Sequence, residues 1–176
     1  MKALALLLLL VISPAFAASS ASSASDAEIV FMQYKKGISE NNWAIALSYM
    51  QPEELSRVRK VFVDSANDPD LQKAEAAAFP GQSASQIRAK SDLDYFASFF
   101  SAMIGAAKIS NDSMTIIGTV MESDSIAYIV FRETFSLSGE PQTKVDLMTM
   151  TKIQGRWYVT MPKELWDGFD AHSDKS

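Results

Sequence analysis

The chain has 176 residues, and its 16 lysines and arginines against 21 aspartates and glutamates give a net charge of −5. This acidic balance argues against nucleic-acid binding, which depends on a basic patch, and against attraction to an anionic membrane. There is no cysteine, which excludes disulfides, thiolate metal sites, a cysteine nucleophile and a lipid-modified N-terminal cysteine. The length suits one domain with a single core.

The N-terminus has the pattern of a cleaved secretory signal peptide over residues 1–17. Lys2 precedes an apolar run at 3–12, a Ser-Pro break follows, and Ala15 and Ala17 occupy the −3 and −1 positions of a cleavage site. The run is about half of the ~20 residues that span a bilayer, which disfavours the alternative of an uncleaved anchor. We expect an exported, soluble protein with no later membrane span. A bacterial periplasm is favoured because exported proteins elsewhere commonly carry disulfides.

Residues 18–25 are almost all Ser and Ala and predict a flexible spacer before a single domain at 26–169. Asp26 is placed to cap a first helix, whose apolar residues recur at helical spacing as far as Ile38. A short second helix carries Trp43, and Pro52 is well placed as the first residue of a third helix.

The middle of the chain predicts two further helices. Asp68-Pro69 opens an Ala-rich helix that Pro80-Gly81 ends, and the polar residues 83–90 predict a loop. Ser91, with Asp94 three residues later, then caps a strongly apolar helix that reaches Ala107.

After residue 110 the apolar period changes from helical to alternating, and we predict strands at 114–121, 126–137, 144–153 and 156–161. The short turns between them favour successive antiparallel hairpins. The prediction is an α+β fold in which N-terminal helices pack on the concave face of a curved, mostly antiparallel four-stranded sheet, like a cone. Residues 162–169 add one turn, and 170–176 form a polar tail.

Two stretches resemble the nuclear-transport-factor-two-like superfamily, which has a cone-shaped α+β fold. Residues 27–50, AEIVFMQYKKGISENNWAIALSYM, are similar to its opening pair of helices, and residues 148–161, MTMTKIQGRWYVTM, to its last hairpin. The resemblance implies a pocket between the sheet and the helices and frequent dimerisation through the outer face. Activities in this superfamily range from isomerases, dehydratases and epoxide hydrolases to non-catalytic binding modules, so fold alone does not assign a function.

Pairing estimated from the turns places two carboxylates, Glu133 and Asp146, on the apolar face of the sheet. A four-residue loop at 139–142 sets Phe135 opposite Asp146 and Glu133 opposite Met148. A carboxylate in such surroundings has a raised pKa and suits acid–base catalysis, for which superfamily isomerases use a pocket carboxylate. The alternatives are contact with a ligand, a position at the wet rim, or a bulge that shifts the register.

The candidate ligand pocket joins aromatic, apolar and carboxylate side chains of the helices and the sheet. Its residues are Tyr34, Trp43, Tyr95, Phe131, Glu133, Asp146, Met148 and Trp157.

The opposite face of the sheet is apolar enough to form a homodimer interface. Its candidate residues are Tyr128, Val130, Thr149 and Tyr158. A C-terminal segment with Leu165, Trp166 and Phe169 folding back over part of this face is the alternative.

No metal or cofactor is expected. His172 is the sole histidine and lies in the polar tail, and the acidic stretch 64–70 lacks the glycine and distal glutamate of a calcium loop. Three hypotheses remain. The first is a non-catalytic exported module that binds a small apolar ligand or a protein partner, the second an isomerase- or dehydratase-like enzyme, and the third a structural dimer or assembly subunit.

Overall fold

The computed structural model describes residues 15–64, 69–107, 109–137 and 139–161. Residues 1–14 of the predicted signal peptide, the predicted C-terminal turn at 162–169 and the tail at 170–176 lie outside the described residues. Within the described ranges, none of the helices combines the length and the apolar character needed to cross a membrane.

Helices occupy the first part of the described chain and strands the second, which confirms the predicted α+β class. The helices are α1 (Ala15–Ser39), α2 (Trp43–Leu47), α3 (Pro52–Asp64), α4 (Pro69–Ala78), α5 (Ala84–Arg88) and α6 (Asp92–Ala107). The strands are β1 (Ile109–Ser123), β2 (Ile126–Leu137), β3 (Glu140–Ile153) and β4 (Arg156–Thr160), all antiparallel in the order β1-β2-β3-β4.

Two helix predictions need correction. Helix α1 begins at Ala15 rather than after Asp26, so the Ser/Ala-rich residues 18–25 are helical in the structure. Alanine has the highest helix propensity, which accounts for the extension. The predicted loop at 83–90 contains α5, because Ser83 and Gln86 form a reciprocal capping box and Ile87 is buried.

The β2–β3 pairing also differs from the prediction. Leu137 pairs with Glu140, so only two residues connect the strands, and Glu133 lies opposite Lys144 rather than Met148. Phe131, not Phe135, lies opposite Asp146. The displacement is four residues, an even number, so each side chain keeps the face predicted for it.

Bulges in β1 change which side chains face inward. Register shifts occur between Asn111 and Ser113, between Ile116 and Gly118, and between Met121 and Ser123. Met121 therefore packs against the core, although simple alternation predicts the outer face.

The core lies between α1 and the inner face of the sheet, and the other helices extend it. Phe31 of α1 and Phe131 of β2 are both almost fully buried, with ring centroids 4.9 Å apart. Beyond them lies an aromatic cluster, formed by rings of α3 and α6 together with Phe79, which follows α4. In this cluster Tyr95 stacks on Phe79 with ring centroids 5.1 Å apart. Burying rings of this size contributes much of the hydrophobic stabilisation of a domain.

The chain between α2 and α3 covers the outer edge of β4. Met50 forms a parallel bridge with Val159, whose N–H donates to the Tyr49 carbonyl at 2.8 Å. The Met161 N–H donates to a carboxylate oxygen of Glu54 at 3.0 Å. These bonds satisfy groups that an uncovered edge strand would leave open to other chains.

Candidate functional site

An apolar cavity of about 400 Å³ lies where the first helices meet the end of the sheet. Its walls come from α1, α2, α3, α6, β3 and β4 and the residues that follow α2 and β4. The lining residues are Tyr34, Ile38, Trp43, Leu47, Met50, Leu55, Val58, Phe96, Phe100, Ile104, Met148, Val159, Thr160 and Met161. A volume of this size falls within the range of small-molecule pockets.

Close packing of α1 on α2 sets one wall of this apolar cavity. A side chain at Gly37 would begin 2.7 Å from the backbone nitrogen of Ala46, so only glycine allows the two helices to approach so closely. The Asn42 side chain caps α2 by accepting the Ile45 N–H at 3.3 Å. Together these features place Tyr34 and Ile38 of α1 beside Trp43 and Leu47 of α2.

Three of the predicted pocket residues line the apolar cavity: Tyr34, Trp43 and Met148. Trp43 packs against Phe100 of α6 with ring centroids 5.3 Å apart. Most of the remaining wall comes from the apolar stripes of α2, α3 and α6. Helical periodicity identifies those stripes as buried but does not separate cavity lining from filled core.

The predicted pocket residues Tyr95, Phe131 and Trp157 are not part of the lining. All three are buried in the core, where neighbouring side chains occupy the space around them. Tyr95 lies in the aromatic cluster, and its hydroxyl donates to a Glu75 carboxylate oxygen at 2.5 Å. These side chains therefore stabilise the domain rather than face the cavity.

Glu133 is buried beside α1. The Lys35 ammonium group donates a hydrogen bond to one of the Glu133 carboxylate oxygens and forms an ion pair with it. Lys144, the residue opposite on β3, lies 3.1 Å from the other oxygen. Burial is the largest single influence on Glu133 and would raise its pKa, but the hydrogen bonds and charges of Lys35 and Lys144 together lower the pKa below its usual value. The raised pKa predicted for this carboxylate is wrong, because the sequence pattern did not include its lysine partners.

Asp146 is exposed and lies outside the apolar cavity. Its carboxylate accepts a hydrogen bond from Lys144 at 2.9 Å and from the backbone N–H of Leu147 at 2.9 Å. The hydrogen bond from Lys144 is the main cause that lowers its pKa. The structure brings Asp146 and Glu133 together through Lys144, but both carboxylates are held in the charged form.

Glu133 instead borders a second depression, of about 410 Å³, between α1 and β1. Its lining is mixed, with Gln33, Lys35, Lys36 and Ser39 from α1 and Met114 from β1. No group of three or more acidic or histidine side chains among the described residues is arranged to hold a metal ion.

The outer face of the sheet carries several exposed apolar side chains. Val120, Val145 and Leu147 are each about half exposed or more. The register aligns Val120 with Tyr128 and Thr149, and Val130 with Leu147, so these side chains form neighbouring rows. The predicted dimer residues Tyr128, Val130, Thr149 and Tyr158 are each partly exposed.

Comparisons with known proteins give no family assignment. No protein-family model matches the chain, and no curated protein matches it. Among solved structures, a match is the solution structure of a SEC-C motif containing protein from Rhodopseudomonas palustris, 16% identical, with a TM-score of 0.31. The alignment covers 60% of this chain and 70% of that chain.

Proposed function

We propose that this chain is a non-catalytic, exported module that binds a small apolar ligand in the apolar cavity. The observation that carries the proposal is the cavity itself, which is about 400 Å³ and lined almost entirely by aliphatic, aromatic and thioether side chains. An empty apolar volume forgoes the contacts that close packing provides, so a ligand that fills it gains them on binding.

The ionic state of Glu133 supports a binding module over an enzyme. An acid–base catalyst at neutral pH needs a carboxylate whose pKa is raised towards the working pH. The pKa values of Glu133 and Asp146 are both lowered, and neither residue lines the apolar cavity.

A neutral hydrophobic fluorophore, N-phenylnaphthylamine, tests ligand binding directly. We expect its emission to rise on binding to the mature protein. Ile104→Trp, which adds volume to the cavity wall, should weaken binding at least tenfold. The matched control is Ile45→Trp, on α2 and 44% exposed outside the lining, which should leave binding unchanged. Equal binding by both variants would place the dye elsewhere and contradict the proposal.

Export is the second part of the proposal and rests on residues 1–17, while the absence of cysteine argues against a lipidated N-terminus. Membership of the nuclear-transport-factor-two-like superfamily likewise remains a proposal based on the resemblance of residues 27–50 and 148–161. Expression of the full chain in a Gram-negative host, with N-terminal sequencing of the periplasmic fraction, should yield a protein that begins at Ala18. Retention of residues 1–17 on a protein found in the membrane fraction would support an anchor instead.

A homodimer through the outer face of the sheet is a second candidate, favoured by the exposed rows that contain Val120, Val145 and Leu147. Sedimentation of the mature protein over a wide concentration range should then show a monomer–dimer equilibrium. Leu147→Lys on the outer face should shift it to monomer, whereas Ile29→Lys, on α1 and 57% exposed, should not. A monomer at every concentration would refute this candidate.

A further inference from the structure

The polar atoms of the lining residues determine which ligands the apolar cavity can accept. The Trp43 indole N–H already donates to the Asn41 side-chain oxygen at 2.7 Å. The Thr160 hydroxyl already bonds to the Thr151 hydroxyl at 2.8 Å and accepts from the Gln51 amide at 3.2 Å. Among the described residues the lining contains no Asp, Glu, Lys, Arg or His, so a charged group placed against these side chains would lose its hydration without gaining a counter-ion from them.

Tyr34 is different, because its hydroxyl has no hydrogen-bond partner within the described part of the chain. Burial, with a smaller contribution from the nearby charge of Glu133, raises the pKa of Tyr34 to about 12. The hydroxyl is therefore protonated at neutral pH, and it remains a donor. Tyr34 is partly buried, so an acceptor on a ligand would replace the contact of its hydroxyl with water by a direct hydrogen bond.

The available volume limits the size of the ligand. A cavity of about 150 Å³ lined by aliphatic and aromatic side chains is known to bind benzene. The apolar cavity is more than twice that size at about 400 Å³, which suits a molecule of about two fused rings or an alkyl chain of similar volume.

We propose that the ligand is an uncharged apolar molecule with a hydrogen-bond-accepting oxygen, and that the Tyr34 hydroxyl donates to that oxygen. This inference rests on the proposed function. It adds a chemical class to it: ketones, esters, ethers and alcohols with a hydrocarbon body are accepted, whereas carboxylates and amines are not.

Three probes of nearly the same shape test the inference. They are methyl naphthyl ketone, isopropenylnaphthalene and naphthoate, each substituted at the same ring position, which present a neutral acceptor, a hydrocarbon and an anion. Affinity is measured by displacement of N-phenylnaphthylamine. We expect the ketone to bind roughly 3- to 10-fold more tightly than the hydrocarbon, as one hydrogen bond allows. Naphthoate should bind at least tenfold more weakly than the ketone.

Tyr34→Phe isolates the hydroxyl, because it keeps the ring that lines the apolar cavity. In this variant the ketone and the hydrocarbon should bind within twofold of each other, with hydrocarbon affinity unchanged. Tyr158→Phe, which removes a hydroxyl from the outer face, is the matched control and should keep the ketone preference. Unchanged hydrocarbon binding also shows that the cavity of each variant is intact.

The outcomes separate this inference from the proposed function. If the hydrocarbon binds but wild type shows no ketone preference, or Tyr34→Phe retains one, the role of Tyr34 is refuted and the binding module stands. If naphthoate binds most tightly of the three probes, the uncharged ligand class is refuted and the proposed binding function stands. If none of the probes displaces the dye and the dye itself does not bind, the proposed function fails first.

Discussion

Substituting Gly37 with alanine tests whether α1 and α2 pack as closely as the apolar cavity requires. Two effects of opposite sign compete. Alanine favours a helix over glycine by about 1 kcal/mol. Against this, the new Cβ would lie 2.7 Å from the Ala46 nitrogen and 3.0 Å from its Cα. Overpacking of this kind costs about 1–3 kcal/mol, and we expect the upper value because a backbone atom cannot rotate away.

The net expectation for Gly37→Ala is a loss of about 2 kcal/mol in the free energy of unfolding, or roughly 4–8 °C in Tm. Gly105→Ala is the matched control. It lies in α6, and its added Cβ would have no neighbour within 4 Å. Only the propensity effect applies there, so this variant should be more stable by about 0.5–1 kcal/mol.

Urea denaturation followed by circular dichroism measures both variants under identical conditions. Ligand binding gives a second, separate measurement, because strain between α1 and α2 also displaces Tyr34 and Trp43 from each other in the wall of the apolar cavity. N-phenylnaphthylamine binding should weaken in Gly37→Ala and stay constant in Gly105→Ala. If Gly37→Ala is at least as stable as wild type, the close contact between the helices does not exist in solution, and the wall of the apolar cavity is wrong.

Three further substitutions, the first with a matched control, test the core, the ion pairs and α5. Ile129→Ala should lose about 2–5 kcal/mol in urea denaturation, because Ile129 is fully buried, whereas Val120→Ala, 60% exposed, should change stability by less than about 0.5 kcal/mol. The pKa of Glu133 is lowered, so its ion pairs stabilise the fold above the unfolded pKa and that contribution is lost as pH falls through the folded pKa. Glu133→Gln should therefore be less stable than wild type at neutral pH, and the difference should shrink below about pH 4 in urea titrations; a constant difference would contradict the ion pairs. Ser83→Ala removes the capping box of α5 and should cost about 1 kcal/mol, with faster hydrogen exchange at Ile87 as the local sign; unchanged exchange there would refute the cap.

The order and type of the main helices and strands follow from the sequence, because each has a strong local signal. Pro52 begins α3 as predicted, and Ser91 caps α6, where it accepts the Asp94 N–H at 3.1 Å. The two-residue turn at 154–155 also gives the β3–β4 register correctly, with Lys152 opposite Trp157. Both of its residues adopt positive φ, the conformation that tight hairpins of this type require.

The predicted β2–β3 register is wrong because the prediction places Pro141 in the connecting loop, where proline is common. It lies instead within β3, opposite Ser136. A proline lacks the N–H that a central strand needs, but β4 pairs only with residues 149–153 of β3. Among the described residues, this part of β3 therefore has a partner strand on one side only, where proline is tolerated. This depends on how far a later strand extends, which local sequence does not reveal.

Helix α5 was missed for a different reason. Residues 83–90 are mostly polar, and only the Ser83–Gln86 spacing indicates a helix start. The structural role of the segment comes from Ile87, whose side chain is buried and whose carbonyl accepts a hydrogen bond from Arg59 at 3.0 Å. The Arg59 guanidinium also stacks 3.3 Å from the centre of the Tyr95 ring. One apolar residue in a polar stretch gives no periodicity, so its burial became evident only from the packing of α3 and α6.

Local sequence is limited in the same way for Glu133. Alternation of side chains predicts the face of the sheet on which Glu133 lies, but it does not predict the chemistry of its carboxylate. The parity of β2 places Glu133 inward whichever even register the hairpin adopts. Whether an inward carboxylate is a base, a ligand contact or a structural ion depends on the charges that other elements bring to it. Lys35 comes from α1 and Lys144 from β3, and together they outweigh the effect of burial on the Glu133 pKa. Tyr34 is the converse case. It precedes Lys35 by one residue on α1, and its hydroxyl has no hydrogen-bond partner among the described residues. The fold therefore pairs Glu133 internally and leaves the Tyr34 hydroxyl at the cavity wall without a described partner, which favours Tyr34 over Glu133 as a ligand contact.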